Sequence, residues 1–117
     1  MIAISARVTK TGLLTRLEAG GHALQGIVGA DPVCAAVSIL LRTLGRLAEL
    51  EKGLDINSRA ERPGDFFLDI TRISSEVQER WKGVGSMALK GLSDLSRDYP
   101  EIIKLVITEH LEDSHGT

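Results

Sequence analysis

Hydrophobic and polar residues alternate strictly at the start of the chain. Ile2, Ile4, Ala6 and Val8 share one face, while Ala3, Ser5 and Arg7 share the other. A period of two predicts a strand with one buried side. Thr9-Lys10-Thr11-Gly12 has turn composition, and Leu13 to Ala19 predicts a returning strand, so the pair reads as a hairpin. From Gly20 to Asp31 no period holds. Gly20, Gly21, Gly26 and Gly29 interrupt it, which predicts a loop of wide backbone freedom.

The period then changes to that of a helix. From about Pro32 to Glu51, Val33, Ala36, Val37, Leu40, Leu41, Leu44, Leu47 and Ala48 recur at three- and four-residue steps and define one apolar face. Gly53 suits the helix stop. Leu54 to Ala60 predicts a strand with Leu54, Ile56 and Ser58 on one side. After a turn at Arg62-Pro63-Gly64-Asp65, Phe66 to Arg72 alternates as its hairpin partner. A second helix over roughly Ser75 to Asp98 carries Val77, Trp81, Val84, Ala88, Leu92 and Leu95 as its stripe. Gly83, Gly85 and Gly91 weaken it by about 1 kcal/mol each relative to alanine, which points to close packing or a kink near Gly83–Gly85. Tyr99-Pro100 stops it, and Glu101 to Glu109 alternates as a last strand. The order β-β-α-β-β-α-β predicts an α+β fold with two helices on a largely antiparallel sheet.

At 117 residues, the chain suits a single domain over residues 1–110, followed by a polar C-terminal tail over 111–117. Aromatics are only 3% of the chain, so aliphatic side chains must fill the core. The net charge of −2 argues against direct nucleic-acid binding, which needs a surplus of Lys and Arg. No stretch approaches the apolar length of a membrane span and the first residues lack a signal-peptide pattern, so a cytoplasmic protein is expected. Glu109, His110, Glu112, Asp113 and His115 contain metal-ligand types, but they crowd into the polar tail, where fraying is expected. No metal and no organic cofactor is expected.

Cys34 is the only cysteine, which rules out an internal disulfide. Asp31 followed by Pro32 reads as a helix start, with Asp31 at the N-cap, Pro32 first and Cys34 in the first turn. Unpaired backbone N–H groups and the positive end of the helix dipole gather there, and both favour an anion such as a thiolate. Backbone N–H groups of Val33 and Cys34 would also suit an oxyanion. His22, in the preceding glycine-rich loop, is the best-placed base. Ser38 lies one turn beyond Cys34, as a polar neighbour of the sulfur or a hydroxyl bonded back to the Cys34 carbonyl. Two readings stand side by side: Cys34 as a nucleophile with Asp31 orienting His22, or Cys34 as a small core residue with Asp31 as a helix cap. Their functional counterparts are a thiol-dependent enzyme and a non-catalytic binding or assembly module.

Gly21-His22-Ala23, a glycine-bearing loop, and then Gly29-Ala30-Asp31-Pro32-Val33-Cys34-Ala35-Ala36-Val37-Ser38 resemble the signature of the ribosomal-processing cysteine protease family, Prp. Gly91-Leu92, Tyr99-Pro100 and the closing strand resemble that family's second helix and end. The resemblance implies a homodimeric bacterial endopeptidase that removes a short N-terminal extension from a large-subunit ribosomal protein. It also implies Cys34 as nucleophile, His22 as general base, and Asp31 and Ser38 in support. The loop holding Gly20, Gly21, Gly26 and Gly29 would order over bound peptide. Pro32 stands where the family commonly has an aliphatic residue, a change compatible with a helix start.

Overall fold

The computed structural model describes residues 1–21, 30–59 and 65–109, with only the backbone described at Ala30 and Asp31. Both alternating N-terminal segments are strands, β1 (Ile2–Val8) and β2 (Leu14–Gly20), and they pair antiparallel. Their turn is closed by Gly12 N–H donating to the Thr9 carbonyl at 3.0 Å, with Gly12 at φ +89°, a conformation that glycine adopts without a Cβ penalty. The chain continues as α1 (Ala30–Leu50), β3 (Leu54–Arg59), β4 (Phe66–Ile73), a 3₁₀ turn at Ser75–Val77, α2 (Gln78–Asp98) and β5 (Ile103–Glu109). This is the expected order, with two helices on a mostly antiparallel sheet.

The five strands lie in the order β3-β4-β2-β1-β5. Three of the pairings are antiparallel, and β5 joins β1 in parallel with Ile2 opposite Ile103. α2 supplies the crossover that a parallel connection requires. In β1 the inward residues Ile2, Ile4 and Ala6 are buried while Ala3, Ser5 and Arg7 face out, so the helices cover one face and leave the other in solvent. On that open face Arg16 pairs with Glu18, and the Arg16 and Arg59 guanidiniums lie 5.0 and 4.7 Å from the Phe67 ring centroid.

The core is one cluster of aliphatic side chains with Trp81 as its largest member. The Trp81 indole N–H donates to the Leu14 carbonyl at 2.9 Å, so the ring is buried without stranding its polar atom. On α1, Val33, Val37, Leu41, Leu44 and Ala48 are buried. Leu40 is only half-buried, packed on Gly91 of α2, and Leu47 stays 43% exposed. α2 is continuous past its glycines. Gly85 sits so near Leu14 that an added Cβ would come within 3.1 Å of the Leu14 Cβ, whereas Gly83 faces open space. Close packing, not a kink, accounts for Gly85.

Some boundaries differ from expectation. β2 is displaced by one residue and β5 opens at Ile103. The larger correction is at α1, which begins at Ala30, two residues before Pro32. The first N–H groups of a helix have no intrahelical acceptor, so Pro32 fits as the third residue as readily as the first. The tail beyond Glu109 lies outside the described residues. Among the described residues, no helix is long and apolar enough to cross a membrane.

Candidate active site

Two chain segments converge on one end of the sheet. There β1, β4 and β5 begin and β2 and β3 end, as the pairings Ala3–Gly20, Ala19–Phe66 and Arg59–Phe67 show. β2 leaves the sheet through Gly21, at φ +105°, where a Cβ would strike the Met1 carbonyl. Only glycine fits this exit, which is the residue immediately before His22. His22, Gly26 and Gly29 lie outside the described residues. α1 then runs back toward the end where β3 begins.

Cys34 is the fifth residue of α1, in its second turn. This corrects the expected placement. Asp31 is the second helical residue, not the cap. The Val33 and Cys34 N–H groups fall within the reach of the helical ladder and are not free donors for an oxyanion. The dipole that favours a thiolate also fades beyond the first turn. The Cys34 side chain is half-buried, packed against the rim of the core while retaining solvent access. It is neither a sealed core residue nor a freely exposed thiol. Ser38, also half-buried, follows one turn later on the same flank. Among the described residues, no hydrogen bond links its hydroxyl back to the Cys34 carbonyl, which leaves it able to serve another partner.

The flank that holds Cys34 and Ser38 continues along α1 through Arg42, Gly45 and Glu49, the spacing of one helical stripe. Leu40 lies on the opposite flank, where its side chain meets Gly91 of α2. The Cys34 flank therefore faces away from α2, and a groove of about 360 Å³ opens there between α1 and the β3–β4 edge. Gly45 and Phe66 meet across it, close enough that a Gly45 Cβ would come within 3.2 Å of the Phe66 ring. Arg42 and Arg46 stand exposed on its rim, and neither pairs with a carboxylate among the described residues. Sequence reasoning did not find this groove, because its second wall comes from Ser58, Arg59 and Phe66, far along the chain. A separate hollow of about 440 Å³ lies on the open face beside Gly20, between Ala3, Glu18 and Lys104. Among the described residues, no cluster of three His, Cys, Asp or Glu side chains could hold a metal ion.

Three exposed salt bridges hold carboxyls below their ordinary values. The Arg80 guanidinium, hydrogen-bonded to Glu51 at 2.7 Å, holds that carboxyl below its ordinary value. Arg72 does the same for Asp55, and Lys90 for Asp94.

The family model described as "Cysteine protease Prp" matches residues 1–104. The chain belongs to this family. That membership decides between peptidase and non-catalytic module: the chain is a cysteine protease of the Prp family. Among solved structures, SMU.848 from Streptococcus mutans is 28% identical over 94% of this chain and 96% of its own, with a TM-score of 0.76. The ribosomal processing protease Prp from S. aureus, in complex with a substrate peptide, shares the fold. It is 24% identical over 92% of this chain and 100% of its own, with a TM-score of 0.71. The same S. aureus protease with a covalently linked product peptide aligns at 23% identity over 92% of this chain and 100% of its own, with a TM-score of 0.73. No curated protein sequence matches the chain closely enough to count as a relative.

Proposed function

We propose that the protein removes a short N-terminal extension from a large-subunit ribosomal protein, with Cys34 as nucleophile and His22 as general base. One observation carries the assignment of the nucleophile: a cysteine protease needs a reactive thiol, and this chain has a single cysteine. The half-buried position of Cys34 fits that role, since the sulfur is held by packing yet open to a substrate. The S. aureus structures with a substrate peptide and a covalently linked product peptide support peptide cleavage through a covalent step.

In the proposed reaction His22 takes the thiol proton, and the sulfur attacks the scissile carbonyl carbon. The C–N bond breaks, the leaving amine takes the proton from His22, and a thioester remains. Water then attacks the thioester, His22 accepts its proton, and the carboxylate product departs as the thiol reforms. Asp31 and Ser38 support the site in this reading. The loop with Gly21, Gly26 and Gly29, which leaves β2 after Gly20, orders over the bound peptide and completes the site. The active form is a homodimer in the cytoplasm, acting on a protein substrate with no nucleic acid, membrane or cofactor involved.

The test is cleavage of the encoded, extended form of the ribosomal protein from the same genome, followed by mass spectrometry. Cys34→Ala is expected to lose at least about a thousandfold in rate; residual cutting near the wild-type rate would remove Cys34 from the mechanism. His22→Ala is expected to slow iodoacetamide labelling of Cys34 near neutral pH. An unchanged labelling rate would remove His22 from the role of base.

A further inference from the structure

The two edges of the sheet are finished differently. Edge strand β3 is irregular between Asp55 and Ile56, and Asn57, Ser58 and Arg59 beyond that point are exposed. A broken register and polar side chains keep an edge from pairing with another chain. At the other edge, β5 pairs with β1 from Ile103 to Glu109 with no break in register. Its middle carries Val106 and Ile107, each 47% exposed and on opposite faces, beside half-buried Leu105. The charges of β5 lie at Lys104 and Glu109, toward its ends.

The backbone pattern decides which groups reach outward from this edge. Ile2 N–H donates to the Ile102 carbonyl at 2.7 Å, so by parallel alternation Lys104 and Val106 turn their backbone groups to β1. Ile103, Leu105 and Ile107 turn theirs to the open edge. Ile103 is already served there: its N–H donates to the Tyr99 carbonyl at 3.1 Å, and its carbonyl accepts from the Ser96 hydroxyl at 3.4 Å. The N–H and C=O groups of Leu105 and Ile107 have no protein partner among the described residues. They form a short hydrogen-bonding template framed by apolar side chains.

We propose that a second copy of the chain docks on this edge, the two β5 strands pairing antiparallel about a two-fold axis at Val106 so that one sheet runs through both protomers. The proposal gives the homodimer proposed above its interface and rests on that reading. An axis perpendicular to the sheet keeps both helix layers on one side, so residues that face each other across it must share a face. One register then matches the free groups. With Val106 opposite the partner's Val106, Leu105 lies opposite the partner's Ile107. Each of these two donates its N–H to the other's carbonyl, and symmetry repeats the exchange. Leucine meets isoleucine on the helix side, valine meets valine on the open side, and Lys104 faces the partner's Thr108 rather than a like charge. Centring the pair on Leu105 would call on the Ile103 groups that Tyr99 and Ser96 already hold. Centring it on Ile107 would set the Glu109 carboxylate against Leu105.

Sedimentation velocity over a dilution series reads the dimer, with circular dichroism confirming the fold of each variant. Val106→Lys sets two ammonium groups against each other at the axis and is expected to weaken dimerisation at least about tenfold. Ser58→Lys on the β3 edge and Met87→Lys, at a 73% exposed position of α2, are expected to leave it unchanged. In a Cys34→Ser background, Val106→Cys is expected to link the protomers by a disulfide under mild oxidation. Facing residues of a non-hydrogen-bonded pair stand about 4.5 Å apart at Cα, which suits that bond. A wild-type dimer that survives Val106→Lys would overturn this edge as the interface and leave the homodimer standing elsewhere. Loss of the dimer in Met87→Lys or Ser58→Lys would do the same. A wild type that is monomeric throughout the series would overturn both the interface and the homodimer. Crosslinking through Ile107→Cys in preference to Val106→Cys would overturn the register.

Discussion

The two ends of the sheet are built on opposite principles. At the far end, Trp81 is enclosed by the strands, its N–H is satisfied by Leu14, and Gly85 lets α2 approach β2 closely. The charges around it are matched as well: Arg80 is paired with Glu51 and Arg72 with Asp55. At the site end the sulfur is half-buried, Arg42 and Arg46 stand without a carboxylate among the described residues, and the chain leaves the sheet through a glycine that nothing else could replace. The far end gains stability from complete packing and matched polar groups. The site end leaves surface and charge unsatisfied, which is what a substrate can complete.

The sharpest way to break this contrast is to truncate one side chain at each end. Trp81→Ala is expected to cost about 3–5 kcal/mol of stability by emptying the core, as read by urea unfolding. Cys34→Ala, at the rim, is expected to cost less than about 1.5 kcal/mol while removing the proposed nucleophile. If the cysteine variant were the less stable of the two, Cys34 would be a structural residue and the division between the ends would fail.

Two glycines sharpen the same point with smaller effects. At Gly53 an added Cβ would lie 2.7 Å from Ser74 Oγ and from both Val77 γ-methyls, so Gly53→Ala is expected to destabilise by about 1–3 kcal/mol. At Gly83 nothing lies within 4 Å, and the residue is inside α2, so Gly83→Ala is expected to stabilise by about 0.5–1 kcal/mol. Opposite signs in denaturant midpoints would confirm that packing, rather than helix propensity alone, decides where glycine is needed.

The smallest expected effect is electrostatic. Glu51, Asp55 and Asp94 have carboxyls held below their ordinary values by Arg80, Arg72 and Lys90. A group whose value is lower in the folded state binds its proton more readily when unfolded. Its stabilisation is therefore complete above the unfolded value and is lost as pH falls through the folded one. Stability is expected to decline below about pH 4, and the decline should be shallower in Asp55→Asn. These pairs are on the surface, so high salt should reduce the difference. An acid limb identical in wild type and Asp55→Asn would show that the Arg72 pair contributes nothing.

Much of the fold is legible in the chain because its signals are local. Strict alternation in Ile2–Val8, the looser alternation from Phe66 to Ile70, and three- and four-residue steps in both helices specify element type without reference to distant residues. The burial of Trp81 follows from the same stripe. The start of α1 was misplaced because Asp-Pro is a strong local cap signal, yet a proline is tolerated anywhere in the first turn. That small displacement matters chemically, since it moves Cys34 out of the turn whose N–H groups are free. At the site, the spacing identified Cys34 and Ser38 as neighbours. Nothing local showed that Arg42 and Arg46 would border a groove, because Phe66 and Ser58, which line its other side, lie far along the chain.

By itself the sequence determined which segments are strands and helices, which faces turn inward, and that any thiol chemistry must fall to Cys34. These follow from residue type and period, which short stretches of chain carry in full. Only the tertiary structure decided the strand order β3-β4-β2-β1-β5, the parallel pairing of β5 with β1, and the groove between α1 and the β3–β4 edge. Those depend on contacts between segments far apart in the chain, whose pairing is chosen by the shared burial of many side chains and written in no one of them.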